Sequence, residues 1–425
     1  MIGARGSGPR SVAGVGLWFA GNGSVLAGIL PWYPLLVDRL DLSSWHFGLV
    51  VACFAAGSLL SSALPAALIA RFGAHRVVIG GTALLGLAAA ATAWSVNGLM
   101  MAVCLLLLGC CDAIVDVAQN VVGIAVQERL KRTILSSMHA LWSLGGLLSG
   151  AAATLAATSG VDMRLWLAVV AVIAVLVTVL GRRLIGDAAS ARRVADSDPD
   201  DSGSAASGAA VSDEADDSRE ASAVVPDRNG ASATGRSKRA VLAAALPLAI
   251  VAICGAAVED IANNWAGLAA AQLADVPAAS AGIAFSIVIG SQCLGRFSGD
   301  LLVTRFGADR IGRIGGGLIA LGGIGAALAQ EPVVLLLGMG ALGFGSATLV
   351  PGALGAAAQL PGIGRAGGVT LVNWLMRVGY LGTSPLVGII AAEAGLRWGI
   401  GLLVLVGVLT TVFAHRLDPA RAAES

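Results

Sequence analysis

Asp112, Asp116 and Asn120 lie four residues apart inside the apolar run 98–125, with Gln119 beside them. That spacing puts them on one face of a helix. Two carboxylates one turn apart in a low dielectric repel when both are ionised, which equips the pair to take up and release a proton. A charge at the centre of a bilayer costs on the order of 3 kcal/mol, so each such residue is a candidate for function. Proton coupling by Asp116 and Asp112 is the chemistry expected here. The alternative is a structural acid that pairs with Arg377 or bonds another helix.

A second polar set occurs at Glu259, Asp260, Asn263, Asn264 and Trp265. Glu259 and Asn263 share a helical face. Glu259 is expected to line a cavity and is the third proton-coupling candidate, whereas Asp260 and Asn264 are expected in water at the outer mouth. Asn373, Arg377 and Tyr380 share another face. Arg377 has no acid nearby in its own helix, so it needs a partner across the cavity, either Glu259 or an anionic substrate. Arg296 and Asp300, one turn apart, are expected to form a structural ion pair near the cytoplasmic end. His139, Trp142, Ser143 and Gly146 share a face, and His139 is suited either to titration or to a structural hydrogen bond. Asn22 is a cavity candidate, Trp32 a cavity residue or an interface anchor, and Gln292 a weaker candidate. Asn22, Trp32, Gln119, Asn120, His139, Trp142, Asn263, Trp265, Gln292, Asn373 and Arg377 are thus the expected solute-binding positions.

The elements that must position these groups follow from composition. Of 425 residues, 56% are hydrophobic and only 12% charged, and the net charge is +1. A soluble domain carries about 25% charged residues, so this chain cannot cover a globular surface with polar groups. A mean hydropathy of +0.83 excludes a soluble enzyme, a disordered protein and a nucleic-acid binder. Runs of about 20 apolar residues occur near 13–38, 46–70, 76–96, 98–125, 135–158, 164–185, 240–271, 277–303, 311–329, 332–358, 367–393 and 397–415. The reading is an all-α membrane protein with twelve transmembrane helices. The basic start, Met1–Arg10, is read as preceding a retained span rather than a cleaved leader.

With both termini cytoplasmic, the cytoplasmic side holds 22 of the 27 Lys and Arg residues. Only Arg39, Arg164 and Arg397 fall outside, which sets the orientation in a cytoplasmic membrane. Residues 186–239, rich in Ser, Ala and Asp, read as a disordered cytoplasmic linker between an N-terminal bundle (1–185) and a C-terminal bundle (240–425). A regulatory segment is the alternative. The six cysteines all lie in apolar stretches and read as helix-packing residues. Neither lysine, Lys131 or Lys238, belongs to a phosphate-binding GxxxxGK[ST] motif, and HExxH is absent. No cofactor, no metal and no enzymatic activity are expected.

The halves share a signature. Arg71-Phe72-Gly73-Ala74-His75-Arg76 is matched by Arg305-Phe306-Gly307-Ala308-Asp309-Arg310, each followed by a glycine pair. Near-identity at equivalent places argues for duplication. Arg71, Gly73, Arg76, Arg296, Asp300, Arg305, Gly307 and Arg310 form the expected hinge and latch. These loops resemble those of the major facilitator superfamily. More narrowly, Asp116-Val-Ala-Gln-Asn120, the stretch 139–146, Gly295-Arg-Phe-Ser-Gly-Asp300 and Gly379-Tyr-Leu-Gly382 resemble the branch that includes the bacterial fucose permease. The usual acid before the first arginine is replaced here by Ala70 and Thr304. The resemblance implies two pseudo-symmetric six-helix bundles around a cavity lined by spans 1, 4, 5, 7, 8, 10 and 11, and a sugar-like solute. The duplicated chain with its charged hinge loops points to a secondary transporter working by alternating access, and the Asp112–Asp116 pair in a chain without a nucleotide motif points to proton coupling. Export of a drug or small metabolite, or a transporter-like sensor, is the alternative. The expected partners are a small-molecule substrate, protons and the lipid bilayer, with no nucleic acid, and the protein is expected to be a monomer.

Overall fold

The structure, a computed structural model, describes residues 7–131, 134–186, 238–360 and 365–417. The expected linker falls largely on residues 187–237, outside the described residues. Every regular element among the described residues is helical. In chain order these are α1 (Ser7–Ala27), a 3-10 turn (Leu30–Trp32), α2 (Tyr33–Leu40), α3 (Ser44–Leu60), α4 (Leu64–Phe72), α5 (Ala74–Thr92), α6 (Gly98–Leu130), α7 (Leu135–Thr158) and α8 (Met163–Ile185). There follow α9 (Lys238–Leu273), α10 (Ile283–Phe306), α11 (Ala308–Leu328), α12 (Pro332–Ser346), α13 (Leu349–Ala357), α14 (Arg365–Ala394) and α15 (Leu396–Phe413), which ends in a 3-10 turn (Ala414–Leu417).

Among the described residues ten helical stretches are long and apolar enough to cross a membrane, or eleven when α3 and α4, bent by 57°, count as one. The twelfth expected span is α10. Its 24 residues reach about 36 Å, but Ser286, Ser291, Gln292, Arg296, Ser298 and Asp300 leave it more polar than the others. A helix of that kind is stable at membrane depth only where protein or a water-filled cavity meets its polar face. Proline sets several breaks: Pro31 opens the first 3-10 turn, Pro34 the start of α2 and Pro65 the start of α4. There the missing N–H would have had no helical partner anyway. Side-chain caps fix other starts. Asn97 accepts from Met100 N at 2.9 Å and Asp162 from Arg164 N at 2.8 Å.

Large apolar side chains such as Leu84, Leu107, Leu155, Leu176 and Leu337 remain exposed around the periphery, as a lipid-facing surface requires. Inside each half, glycine and alanine let backbones approach closely. Gly109 of α6 lies against the carbonyl of Phe54 on α3, and Gly343 of α12 against that of Val288 on α10. The second pair is the counterpart of the first in the other half. Likewise α5 packs on α8 as α11 packs on α15. The glycine clusters at 315–317 and 322–325 meet α12 and α15 backbones, as packing surfaces do.

The duplicated turns adopt one conformation. Gly73 has φ +82°, ψ 144° and Gly307 has φ +87°, ψ 148°. Residues with a Cβ are strained there, so the glycine is required. Arg71 stacks over Phe72 at 5.3 Å and Arg305 over Phe306 at 5.5 Å. Arg76 and Arg310 are exposed. None of these four arginines makes an ion pair among the described residues. The side chain of Asp300 lies outside the described set.

Gly73→Ala and Gly307→Ala should each destabilise the fold by about 1–3 kcal/mol, seen as a lowered thermal midpoint in detergent. Gly80→Ala, where an added methyl meets nothing within 4 Å, should leave the midpoint unchanged or slightly raised.

Candidate functional site

The two halves meet from one end to mid-depth. At the end away from the Arg-Phe-Gly turns, Gly48 on α3 lies against Gly388 on α14, Pro31 against Gly282, Pro34 against Gly267, and Phe285 on α10 against Gly150 on α7. An aromatic stack reinforces this seal. Tyr33 meets Phe47 edge-to-face at 5.4 Å, and Phe47 meets Trp265 at 5.1 Å. Pairs of this kind contribute about 0.5–1.5 kcal/mol each beyond their buried area. Toward the Arg-Phe-Gly end, α4 and α6 pack only within their own half among the extensive helix contacts described. A cavity therefore opens between the halves at that end.

Its wall is polar at mid-depth. Asp112 lies 14 residues into α6, about 21 Å along the helix, and Arg377, Glu259 and Arg296 occupy the middle of α14, α9 and α10. All are half-buried, as are Asp116, Asn120, His139, Trp142, Asn263, Asn373 and Tyr380. The N-terminal wall is wired through Asn22, whose Nδ2 donates to Asp112 Oδ1 at 3.1 Å and whose Oδ1 accepts from Trp142 Nε1 at 2.9 Å. Asp116 Oδ1 accepts from Asn120 Nδ2 at 3.1 Å and Gln119 Nε2 at 3.3 Å. Gln119 itself is fully buried, and its Oε1 has no hydrogen-bond partner among the described residues. His139 stacks edge-on against Phe19 at 5.3 Å and interacts electrostatically with Asp116 and Arg296.

On the opposite wall Arg296 sits at mid-helix rather than at the cytoplasmic end, and among the described side chains, which do not include Asp300, it meets Glu259 Oε2 at 3.8 Å and Ser143 Oγ of the other half at 2.7 Å. A guanidinium carries donors in several directions and can serve both halves at once. Glu259 is thus engaged by Arg296 rather than by Arg377. Arg377 makes no hydrogen bond or ion pair among the described residues, and Asp112 is close enough to interact with it through space. Its face of α14 carries Asn373, Tyr380 and Ser384.

Asp260 and Asn264 overturn the expectation of a wet outer mouth. Asp260 is 3% and Asn264 9% exposed, because the seal covers them. Asn264 Nδ2 donates to Asp260 Oδ1 at 2.8 Å, Ser384 Oγ to Asp260 Oδ2 at 2.5 Å, and Trp265 Nε1 to Ser384 Oγ at 3.2 Å. Asp260 and Asn264, together with Asn263, Tyr33 and Tyr380, border a small pocket against Leu26 and Phe54. Gln292 is turned into its own half, where its Nε2 reaches Ser346 Oγ at 3.5 Å. Trp32 is neither exposed at an interface nor in the cavity wall, but buried in its 3-10 turn, its Nε1 without a hydrogen-bond partner among the described residues. Ser384 was not singled out from the sequence, although it continues the stripe Asn373, Arg377, Tyr380 by one turn. Nothing in an apolar sequence marks Phe47 or Tyr33 as seal residues.

The Major Facilitator Superfamily profile matches residues 14–342. The chain belongs to the major facilitator superfamily. It is similar to an uncharacterised MFS-type transporter of Yersinia pestis, 24% identical over 394 residues and covering 91% of each chain. Among solved structures, a variant of the nucleoside transporter NupG matches with a TM-score of 0.67 at 13% identity, over 96% of this chain and 98% of that one. A bacterial homolog of the human lysosomal transporter Spinster, in an inward-facing, unoccupied conformation, also gives 0.67 at 13% identity, over 99% and 98%. The protein is a multi-pass membrane transporter, not an enzyme. These matches establish the superfamily and not the fucose-permease branch.

Ser143→Ala removes the hydrogen bond that Arg296 makes across the cavity. A charge-assisted bond is worth roughly 1.5–3 kcal/mol, and partial exposure of Arg296 favours the lower figure. Spin labels at Val161→Cys and Glu393→Cys, on the sealed ends of the two halves, should then report a roughly tenfold larger population of separated distances.

Proposed function

We propose that this transporter moves a small polar solute by alternating access, with proton movement through Asp116 supplying the work. The observation that carries the reading is a polar cavity between two duplicated halves, sealed at one end and open at the other. Rocking the halves about that mid-depth polar layer would seal the open end and open the sealed one. The chain has no nucleotide motif, so the work must come from an ion gradient or from the solute's own gradient. Asp116 suits the coupling role better than Asp112. Its carboxylate is held only by neutral amides of its own helix, whereas Asp112 is tied through Asn22 to Trp142 in other helices. Water entering and leaving the cavity would then reach the Asp116 carboxylate directly.

Amide side chains and the Trp142 indole suit a hydroxylated, ring-bearing solute. The resemblance to the fucose permease and the fold shared with a nucleoside transporter support the same class. The two bundles divide at the linker, 186–239. The arginine asymmetry supports both termini in the cytoplasm, which makes the open end face the cytoplasm. An inward-facing relative of the same fold is consistent with this.

Counterflow of radiolabelled sugars and nucleosides in proteoliposomes tests transport, since a sensor would bind without exchanging. Asp116→Asn should abolish accumulation driven by a pH gradient while exchange persists. Accumulation equal to wild type would exclude Asp116 as the coupling site. Orientation has its own check. A cysteine at Glu393 should react with an impermeant maleimide in intact cells, and one at Arg310 should react only after permeabilisation.

A further inference from the structure

Asp260 is the buried carboxyl that the proposed coupling leaves unused. It lies behind the aromatic seal, on the opposite side of the mid-depth layer from the open cavity. The titratable groups that face it are Glu259 on its own helix, Tyr33 on α2 and Tyr380 on α14. All are acidic or neutral, and no cationic side chain pairs with it among the described residues. Its two hydrogen-bond donors, Ser384 and Asn264, are uncharged. An ionised carboxylate sealed from water with neutral donors only is a poorly compensated charge. Both donors ease its ionisation, but neither carries a charge to offset its burial, and neither offers a lone pair to a metal ion.

We propose that Asp260 is a second proton site, loaded while the seal is closed and discharged to water when the seal opens. The carboxyl O–H bond breaks, a water oxygen entering between Phe47 and Trp265 takes the proton, and Ser384 and Asn264 continue to bond the carboxylate left behind. The seal is linked to the site directly. Trp265 donates to the same Ser384 Oγ that bonds Asp260, and the Ser384 backbone lies against Gly48 of the other half. Asp116 is half-buried beside the open cavity in this conformation and Asp260 is buried behind the seal, so the two acids would meet water in alternate states. The inference rests on the transport reading only in requiring that the seal open.

Infrared difference spectroscopy of the full chain in lipid bilayers tests it without a known solute. In sodium-free buffer at neutral pH, wild type minus Asp260→Asn should show one protonated-carboxyl C=O band, lost as pH is raised. Asp116→Asn should retain that band, so failure of the Asp116 assignment leaves this result readable. Asp260→Glu should restore a shifted band, which guards against misfolding of the asparagine variant. The label pair at Val161 and Glu393 should lengthen on alkalinisation in wild type and not in Asp260→Asn. A difference spectrum holding only ionised-carboxylate bands at neutral pH would overturn the proposal. Loss of the C=O band on adding Na⁺ at fixed pH would also overturn it, in favour of a metal ion.

Discussion

A polar group at membrane depth has no water to fall back on, and this one constraint organises the molecule. Within each half, helices meet through glycine and alanine backbones, as at Gly109 and Gly343, where there is nothing polar to satisfy. The ionisable side chains collect instead on the surface between the halves. There they divide into two sets. Asp260, Asn264, Trp265 and Ser384 bond one another where the halves are closed. Asp112, Asp116, Arg377 and Glu259 are half-buried where they are open. The same layer of polar chemistry is dry on one side and wet on the other.

The seal is built so that it can be undone. Interdigitated large side chains would make it strong, as in a soluble core, but separating them would be costly. Here much of the contact is glycine against glycine or proline, as at Gly48–Gly388 and Pro31–Gly282, with one aromatic stack at its centre. In a bilayer, association of this kind has no hydrophobic driving force beyond packing and hydrogen bonds. Loss of a few bonds, such as that between Arg296 and Ser143, is then enough to matter.

Much of this architecture is written in local signals. Apolar runs locate the helices, and the repeated Arg-Phe-Gly turn foretells two halves because its positive φ demands glycine in both copies. The stripe Asp112, Asp116, Asn120 is legible because one helix carries it entirely. What the sequence could not convey was depth and opposition between helices. Nothing along the chain links Arg296 to Glu259 and Ser143, which it meets from two other helices. Asp260 read as a water-exposed acid because its position in the helix places it toward the outer side. Only the seal formed by α2, α3 and α14 buries it. The polar face of α10 kept that span below the hydropathy of its neighbours for the same reason, since its justification lies in the opposite half.

The distribution of charge across the cavity bears on how protons and conformation can be linked. The N-terminal wall contributes the acids Asp112 and Asp116, while the C-terminal wall contributes Arg377 and the Arg296–Glu259 pair. With both acids ionised, the walls attract each other most strongly where water is excluded, because the Coulomb term grows as the local dielectric falls. That attraction favours drawing the open end together. A proton on either acid removes part of it, and a solute that bridges the walls can replace it. Arg377 has no hydrogen-bond or ion-pair partner among the described residues and is the cation left to answer those acids. Under the proposed mechanism the carboxylates and Arg377 therefore act as one electrostatic unit split between two rigid bodies. Its energy depends on how far apart the halves stand, which is the property a coupled transporter has to possess.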